Sequence, residues 1–273
     1  MYLITGSKGQ LGTELKKLLP DAILTDVEDL DITNKTAVDL FVKEHHIDTI
    51  INCAAYTAVD KAEDVPELVA KINVEGPRNL AQTNCKIIHI STDYVFDGVG
   101  HRPYLESDEP KPVSVYGKTK LAGEQAVMNN AEKAVVLRTA WLYSPYGNNF
   151  VKTMRRLGAE KESLNVVCDQ IGTPTYAGDL AKAIVTILPQ MNAQNKGVYH
   201  YSNEGVCSWY DFAHEIMALS NLPCKVNPIL SSEYPTKAKR PFYSVLDKNK
   251  VKKTFNLEIP YWKESLIKCL KQF

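Results

Sequence analysis

The sequence carries no net charge and contains no long apolar run. Lys and Arg together number 32, as do Asp and Glu, so no overall field attracts nucleic acid or an anionic membrane surface. No apolar stretch approaches the roughly 18 residues of a membrane span, and the first strand pattern has no basic and apolar leader before it. We therefore expect a soluble protein without nucleic-acid or membrane partners.

The cysteines form no C-x-x-C pair. The six cysteines are scattered, and several lie in apolar stretches typical of a core. This usage is typical of reduced thiols and predicts a cytoplasmic protein. Internal repeats and low-complexity segments are also absent, which excludes a solenoid array and argues against a tethered second domain.

Short runs rich in Val and Ile alternate with helical patterns in the first half of the chain. Strands are predicted at residues 1–5, 22–25, 49–52, 86–91 and 134–138, and helices at residues 10–19, 35–45, 66–83 and 115–129. A repeated order of strand and then helix is typical of a parallel sheet covered on both faces. The sequence therefore predicts the α/β class, with a Rossmann-type doubly wound parallel sheet.

A glycine-rich turn lies between the first predicted strand and the first predicted helix. Gly6, Gly9 and Gly12 give the spacing G-x-x-G-x-x-G, and Asp26 follows the second predicted strand. Such a turn lets backbone N–H groups approach a pyrophosphate at the helix N-terminus, and the carboxylate can accept hydrogen bonds from an adenosine ribose. The alternative is a turn that serves packing alone, but the strand and helix around it favour a dinucleotide site.

The predicted dinucleotide site includes residues beside the glycines. They lie in the turn or follow the ends of strands, and they are Gln10, Leu11, Asp31, Ile32, Ala54, Ala55 and Tyr56. Asp26 favours NAD(H) because a carboxylate repels a 2′-phosphate, whereas Lys8 can offset that charge for NADP(H). The sequence leaves NADPH and NADH both open, and NADP(H) is the cofactor that we favour.

The alternation of strands and helices loosens in the second half of the chain. Gly- and Pro-rich joints such as residues 171–175 interrupt it, although helices are predicted over residues 179–188 and after Ser208, which opens a capping box. We expect a dinucleotide-binding domain over residues 1–148 and a smaller, mainly substrate-binding lobe over residues 149–273, interwoven with the first.

Tyr116 and Lys120 stand four residues apart on a predicted helix, so their side chains share one face. We expect the Lys120 ammonium to favour the ionised form of the Tyr116 phenol and to bind the nicotinamide ribose. Thr92 follows a strand, where it and Tyr116 can hydrogen-bond one substrate oxygen. These residues predict a catalytic group for carbonyl reduction. The alternative is a surface tyrosine beside a solvated lysine.

These motifs resemble the extended short-chain dehydrogenase/reductases and, within them, the reductases of dTDP-4-dehydrorhamnose. The resemblance runs through residues 6–12, 52–63, 91–98, 116–120, 138–141, 147–150, 169–175 and 240–241. It implies NAD(P)H-dependent reduction of the 4-keto group of dTDP-4-dehydro-L-rhamnose to dTDP-L-rhamnose, in deoxysugar-nucleotide and cell-surface polysaccharide biosynthesis. It also implies that Tyr116 donates the proton, that Thr92 polarises the keto oxygen and that Lys120 supports both Tyr116 and the ribose.

The resemblance also implies contacts with the substrate, by Thr92, Asp93, Tyr116, Trp141 and Arg240. Apart from the resemblance, residues 237–240 form a local basic cluster, and an Arg fork suits a diphosphate. The alternatives are a solvated charged loop for the cluster and a core position for Trp141.

Some members of the resembled family are described as joining subunits through Mg²⁺ held by glutamates. Glu14 matches the first such position, but residues 176–179 offer no Glu at the second. We therefore predict no metal site. The sequence leaves the oligomeric state open, a homodimer included, because an interface patch cannot be distinguished from a core in one sequence.

Two other functions stay open. A nucleotide-sugar dehydratase or epimerase would keep its cofactor bound through the cycle, but relatives that dehydrate carry an Asp-Glu pair after the Thr. Here Asp93 is followed by Tyr94, which disfavours dehydration. A non-catalytic, NADP-binding regulatory subunit would have no need of Tyr116 or Lys120, and both are present.

Overall fold

Strands and helices alternate along the first 140 residues of the chain. The computed structural model describes residues 1–273. Its strands are β1 (Tyr2–Thr5), β2 (Ile23–Thr25), β3 (Thr49–Asn52), β4 (Lys86–Thr92), β5 (Ala134–Thr139), β6 (Leu142–Tyr143), β7 (Ser163–Val167), β8 (Ile171–Gly172), β9 (Thr175–Tyr176), β10 (Gly197–His200), β11 (Cys207–Ser208) and β12 (Lys225–Ile229).

The helices cover both faces of the central sheet and build a second layer beyond it. They are α1 (Gln10–Leu18), α2 (Lys35–Glu44), α3 (Val59–Ala62), α4 (Pro66–Ala70), α5 (Gly76–Ala81), α6 (Val115–Asn130), α7 (Phe150–Glu160), α8 (Ala177–Ile187), α9 (Trp209–Leu219), α10 (Asn249–Phe255) and α11 (Trp262–Leu270). None of them combines the length and the apolar character needed to cross a membrane.

The central sheet has six strands in the order β10-β5-β4-β3-β1-β2, and every neighbouring pair is parallel. The chain passes from β1 to β2 on one side and places β3 on the other. This reversal of direction opens a crevice outside the carboxyl ends of β1 and β3, where ligands bind in sheets of this kind. The predicted doubly wound parallel sheet is confirmed.

Adjacent apolar residues of each central strand face opposite sides of the sheet because side chains alternate along a strand. Leu3 and Ile50 lie in a core built with α2, α5 and α6. Ile4 and Ile51 lie in the core on the other face, built with α1 and α8. Continuous apolar runs in the sequence therefore correspond to strands that are buried on both faces.

A separate apolar core lies among α7, α9, α11, β7 and β12 and includes Phe212, Ile216 and Trp262. The second half of the chain also contributes to the sheet, since β10 pairs with β5 and α8 packs on α1. The boundary after residue 148 stays a prediction. Ser208 caps α9 with the predicted capping box, closed by Asp211.

The single helix predicted over residues 66–83 is wrong in its middle. A π-helical turn, Lys71–Glu75, separates α4 from α5. Its buried Asn73 turns inward, and a Cβ on Gly123 of α6 would lie 2.2 Å from the Asn73 carbonyl oxygen. The backbone of α6 therefore packs directly on the π turn. Apolar periodicity does not reveal one inserted residue in a helix.

Candidate active site

A groove of about 850 Å³ lies at the carboxyl ends of the central strands. The glycine turn lines one end, and Thr92, Tyr116 and Lys120 line the other. The structure therefore brings the two predicted halves of the site into one groove. The predicted dinucleotide residues line it with the exception of Tyr56, and so do Asp93 and Trp141, whereas Arg240 lies outside its lining.

The glycine end is built by close backbone contacts. Gly6 has φ +65°, and a Cβ there would lie 2.7 Å from the backbone nitrogen of Ala54. A Cβ on Gly12 would lie 2.5 Å from the carbonyl oxygen of Gly6. The missing side chains thus leave a bare backbone cradle at the N-terminus of α1. This cradle fits the pyrophosphate of a dinucleotide.

Asp26 lies at the rim of the groove, just after β2. Its carboxylate accepts the backbone N–H of Lys8 at 3.2 Å and that of Val27 at 3.0 Å. The Lys8 ammonium pairs with Glu28 at 2.8 Å, and both side chains are exposed. The Lys8 ammonium, which was considered as a partner for a 2′-phosphate, is therefore already paired with a carboxylate.

The remaining dinucleotide residues are held by local hydrogen bonds. The hydroxyl and backbone N–H of Thr33 donate to Asp31 at 2.7 and 2.9 Å and lower the pKa of that carboxyl. The Gln10 side chain accepts from Ser144 and Asn149, which ties α1 to the loop after β6. Tyr56 does not line the groove, and Asn73 bonds both its backbone N–H and its backbone carbonyl group.

Hydrogen bonds from two side chains fix the start of α6, the helix that carries Tyr116 and Lys120. The Ser114 side chain accepts the N–H of Gly117, and the Glu63 carboxylate accepts the N–H of Val115 at 2.9 Å. A Cβ on Gly117 would lie 2.2 Å from the carbonyl oxygen of Tyr94, so the first turn of α6 packs against the segment that follows β4. These contacts place Tyr116 and Thr92 side by side.

The expected lowering of the Tyr116 pKa by Lys120 is wrong. Burial raises the pKa of Tyr116, and only the neighbouring Thr92 hydroxyl opposes the shift. Burial lowers the pKa of Lys120 to about 8, and its ammonium donates to the carbonyl oxygen of Ile90 at 2.6 Å rather than to the phenol. The phenol is therefore protonated at neutral pH, which is the form that a proton donor needs.

Two polar atoms in the groove wall have no partner in the chain. One oxygen of the buried Asp93 carboxylate is free while the other accepts the Thr92 hydroxyl at 3.0 Å, and the Thr139 hydroxyl is unpaired. Burial raises the pKa of Asp93 to about 6. Buried polar atoms are normally hydrogen-bonded, so both atoms are available to hydrogen-bond a molecule bound in the groove. Thr139 lies in the resembled segment 138–141, but sequence reasoning assigned it no role.

Trp141 presents its ring to the groove from a strained backbone position. Its φ of 48° lies in the left-handed region, which is rare for a bulky residue. Trp209 stacks on its far side, with ring centroids 3.6 Å apart and an interplanar angle of 9°. Strain of this kind persists where the surroundings hold it, and it is typical of functional sites. Nothing in the sequence links these two tryptophans.

The predicted basic cluster is matched by acidic residues of α3 and the turn after it. Arg240 pairs with Asp60 at 2.5 Å and donates to the Tyr94 hydroxyl at 2.9 Å. Lys237 pairs with Asp64. The Tyr94 ring lies edge-on to Tyr116, with centroids 5.6 Å apart. Arg240 therefore adjoins Tyr116 through Tyr94, a link that sequence reasoning missed.

A bare backbone cradle, a protonated phenol, an amine and unpaired buried acceptors in one groove suit a nicotinamide dinucleotide and a polar carbonyl substrate. The family model described as "RmlD substrate binding domain" matches residues 1–273. The chain belongs to this family. A member from Aggregatibacter actinomycetemcomitans, named dTDP-4-dehydrorhamnose reductase, is 42% identical over 97% of this chain and 96% of its own length.

Solved structures of the RmlD family agree over the same length. The dTDP-4-dehydrorhamnose reductase of Clostridium acetobutylicum is 47% identical, with a TM-score of 0.95, over 99% of this chain and 98% of its own. The enzyme of Bacillus anthracis, solved in complex with NADP, is 42% identical, with a TM-score of 0.96, over 100% of this chain and 99% of its own. The resemblance inferred from the motifs is confirmed.

The metal position noted for some RmlD-family proteins is engaged in protein contacts in this chain. Glu14 is buried and accepts from the Lys17 ammonium at 2.9 Å and from the Tyr176 hydroxyl at 3.3 Å. Gln272, near the C-terminus, donates to the same Tyr176 hydroxyl at 2.6 Å. The Glu14 carboxylate thus ties α1 to β9, and through Tyr176 to the end of the chain.

Proposed function

We propose that the chain reduces the 4-keto group of dTDP-4-dehydro-L-rhamnose to give dTDP-L-rhamnose, with NADPH or NADH as reductant. One observation carries this proposal: the glycine cradle and the Thr92, Tyr116 and Lys120 group line a single groove. The family membership over the whole chain and the full-length relatives of that name support it. The B. anthracis complex with NADP supports NADP(H) as the cofactor.

The glycine turn would hold the dinucleotide by its pyrophosphate, with Asp26 at the adenosine ribose and Lys120 at the nicotinamide ribose. When bound, the nicotinamide supplies a hydride to the keto carbon. Gly6 and Gly12 keep side chains out of the cradle, and Gln10 fixes the start of α1 against the loop after β6. Lys120 lines the groove, where the hydroxyls of the nicotinamide ribose would accept hydrogen bonds from its ammonium.

The proton step belongs to Tyr116 and Thr92. We assign the Thr92 hydroxyl to hydrogen-bond the keto oxygen and the Tyr116 phenol to donate its proton to that oxygen as the alkoxide forms. Burial supports this assignment because it keeps the phenol protonated and excludes competing water. In the unliganded protein the Thr92 hydroxyl donates to Asp93, and we assign it to exchange this hydrogen bond for one to the keto oxygen when the substrate binds.

The substrate side of the groove suits a sugar diphosphate. We assign the Trp141 ring to pack on the sugar and Arg240 to bind a phosphate oxygen, with Asp93 at a sugar hydroxyl. Arg240 adjoins the groove through the hydroxyl of Tyr94, which lines it, and a phosphate oxygen would compete with Asp60 for the guanidinium. A dehydratase is disfavoured, since Tyr94 occupies the position where dehydrating relatives carry a carboxylate.

The reaction is tested with purified protein, dTDP-4-dehydro-L-rhamnose and each reduced cofactor. We expect one NADPH or NADH to be oxidised for each dTDP-L-rhamnose formed, measured by absorbance at the nicotinamide band and by identification of the product sugar. A product formed without net oxidation of the cofactor would indicate an epimerase or dehydratase. Tight cofactor binding without turnover on 4-keto sugar nucleotides would indicate a regulatory subunit.

The role of Arg240 predicts a defect in substrate binding. We expect Arg240→Ala to raise the KM for the nucleotide sugar by roughly tenfold or more, because a charge-assisted hydrogen bond to a phosphate is lost. Lys239→Ala is the matched control, since Lys239 is exposed and its replacement removes one positive charge at the adjacent position. Equal rises in KM for the two variants would mean that local charge, not the Arg240 fork, is responsible.

We also propose that the protein acts in the cytoplasm and forms a homodimer. All six cysteines are free thiols, which supports a reducing compartment. Val65 and Leu68 expose 37% and 47% of their surface at the start of α4, which supports a contact between subunits. Light scattering on the purified protein tests the dimer by its mass.

A further inference from the structure

Glu124 is a buried carboxylate directly behind the catalytic pair. It is 2% exposed and lies four residues after Lys120 and eight after Tyr116, on the same face of α6. Arg138 of β5 donates to it twice, from Nε to Oε1 at 2.9 Å and from Nη2 to Oε2 at 2.7 Å. Ser91 of β4 donates its hydroxyl to Oε1 at 2.5 Å. Three donors therefore fix this carboxylate.

Structural stability alone does not account for a buried ion pair of this kind. Moving two charges out of water offsets most of their mutual attraction, and apolar residues of similar volume commonly serve a core as well or better. The surroundings of Glu124 are otherwise suited to such residues, since Val127 of the same helix lies in the apolar core. A role in the neighbouring site is the alternative.

The contacts of Glu124 join α6 to the end of β4. Ser91 donates to Glu124, and one turn earlier Lys120 donates to the carbonyl oxygen of Ile90 at 2.6 Å. Ile90 and Ser91 directly precede Thr92. Two adjacent links thus set the register between the helix that carries Tyr116 and Lys120 and the strand that carries Thr92. A shift of either element would separate the three catalytic groups.

Glu124 also dominates the charges around Lys120. Five titratable groups lie around Lys120 and its helix. They are Glu124 and Tyr116 on α6, Cys53 after β3, His89 on β4 and Arg138 on β5. Burial raises the pKa of Cys53 to about 12 and lowers that of His89 well below its usual value, so both are neutral. Glu124 is thus the anion that favours the charged form of Lys120 against its burial.

We propose that Glu124, clamped by Arg138, is a positioning residue that supplies the anion one helical turn from Lys120 and holds α6 in register with Thr92. This role rests on the proposed reduction, because it acts through Lys120. It gives the buried pair a function that a hydrophobic pair could not replace. Arg138 holds the carboxylate in place, and Glu124 is the group whose charge Lys120 senses.

The test measures the protonation of Lys120 in the unliganded protein. The side-chain signals of isotope-labelled lysine are followed by NMR against pH, with Lys120→Met to assign the resonance. In Glu124→Gln we expect the pKa of Lys120 to fall by about half a unit or more below its wild-type value, because the nearby anion is gone. Ser91→Ala is the matched control, since it removes a hydrogen bond to the same carboxylate and leaves the charge.

The second readout is the pH dependence of kcat/KM. Lys120 acts as a cation, so activity falls as pH rises through its pKa, which lies at about 8. A lower pKa moves this basic limb to lower pH in Glu124→Gln and leaves it in place in Ser91→Ala. A structural role alone would lower the rate in both variants without moving the limb.

Glu124→Gln leaves the Arg138 charge unpaired and can prevent folding, so a second variant is needed. Glu124→Met combined with Arg138→Met removes both charges and keeps the volume. We expect a downward shift of the Lys120 pKa in this double variant too, smaller than in Glu124→Gln because the Arg138 cation is removed together with the anion. A Lys120 pKa within about 0.2 unit of wild type in either variant, or an equal shift in Ser91→Ala, would overturn the proposal. The NMR titration requires no turnover, so a failure of the proposed reduction appears separately, as a wild-type protein inactive on the sugar nucleotide.

Discussion

Replacement of Tyr116 by phenylalanine is expected to lower kcat by roughly 10²- to 10⁴-fold, the usual contribution of a positioned acid. The phenol is the buried, protonated group beside Thr92, and no second acid stands in its place, because the Lys120 amine is directed to Ile90. The aromatic ring stays, so KM for the sugar nucleotide should change little. Steady-state kinetics with saturating cofactor measure both quantities.

Tyr94→Phe is the control for this prediction. The Tyr94 ring packs edge-on against Tyr116, and the Tyr94 hydroxyl accepts a hydrogen bond from Arg240. The variant therefore also removes one phenolic oxygen, but from the neighbouring ring rather than from Tyr116. We expect a change in KM and a kcat within about tenfold of wild type, since only a contact with Arg240 is weakened. Full turnover by Tyr116→Phe would remove Tyr116 from the mechanism.

Gly12→Ala is expected to weaken dinucleotide binding by roughly a hundredfold or more, because the added methyl group displaces the backbone cradle. A Cβ at this position would lie 2.5 Å from the Gly6 carbonyl oxygen and 2.6 Å from the Ser7 Cα. Both atoms belong to the backbone, which cannot move aside as a flexible side chain can. Titration of the cofactor by calorimetry or fluorescence measures the loss.

Gly197→Ala provides the same chemical change away from the groove. A Cβ there would meet nothing closer than 3.5 Å, and the residue lies in the edge strand β10. We expect its dinucleotide affinity to stay within about twofold of wild type. Unchanged affinity in Gly12→Ala would show that the turn serves packing alone, which is the alternative that the sequence left open.

The features predicted correctly are those that repeat at short range. The strands of the central sheet appear as runs of three to seven residues, and the four-residue spacing of Tyr116 and Lys120 follows from the period of one helix. The glycine turn was predicted because the strand before it and the helix after it are adjacent in the chain. In each case the interacting groups lie within one element or one connection, so local geometry determines the outcome.

The features that were missed join distant parts of the chain. Arg240 meets Asp60 across 180 positions, and Trp209 supports Trp141 from another helix. No local period relates such pairs, because their contact depends on how the second half of the chain folds back on the sheet. The wrong prediction for the Tyr116 phenol has the same origin, since its pKa is set by burial among groups from other parts of the chain.

The amino-acid sequence by itself determined the parallel sheet and the glycine turn, and it supplied the catalytic groups that we propose, because these depend on neighbours in the chain. The tertiary structure alone decided the protonation of Tyr116 and Lys120, the partner of Arg240 and the clamp on Glu124. Protonation and pairing are set by water exclusion and by charges within a few ångströms. Those distances come into being only when α3, α6 and the strand ends pack together.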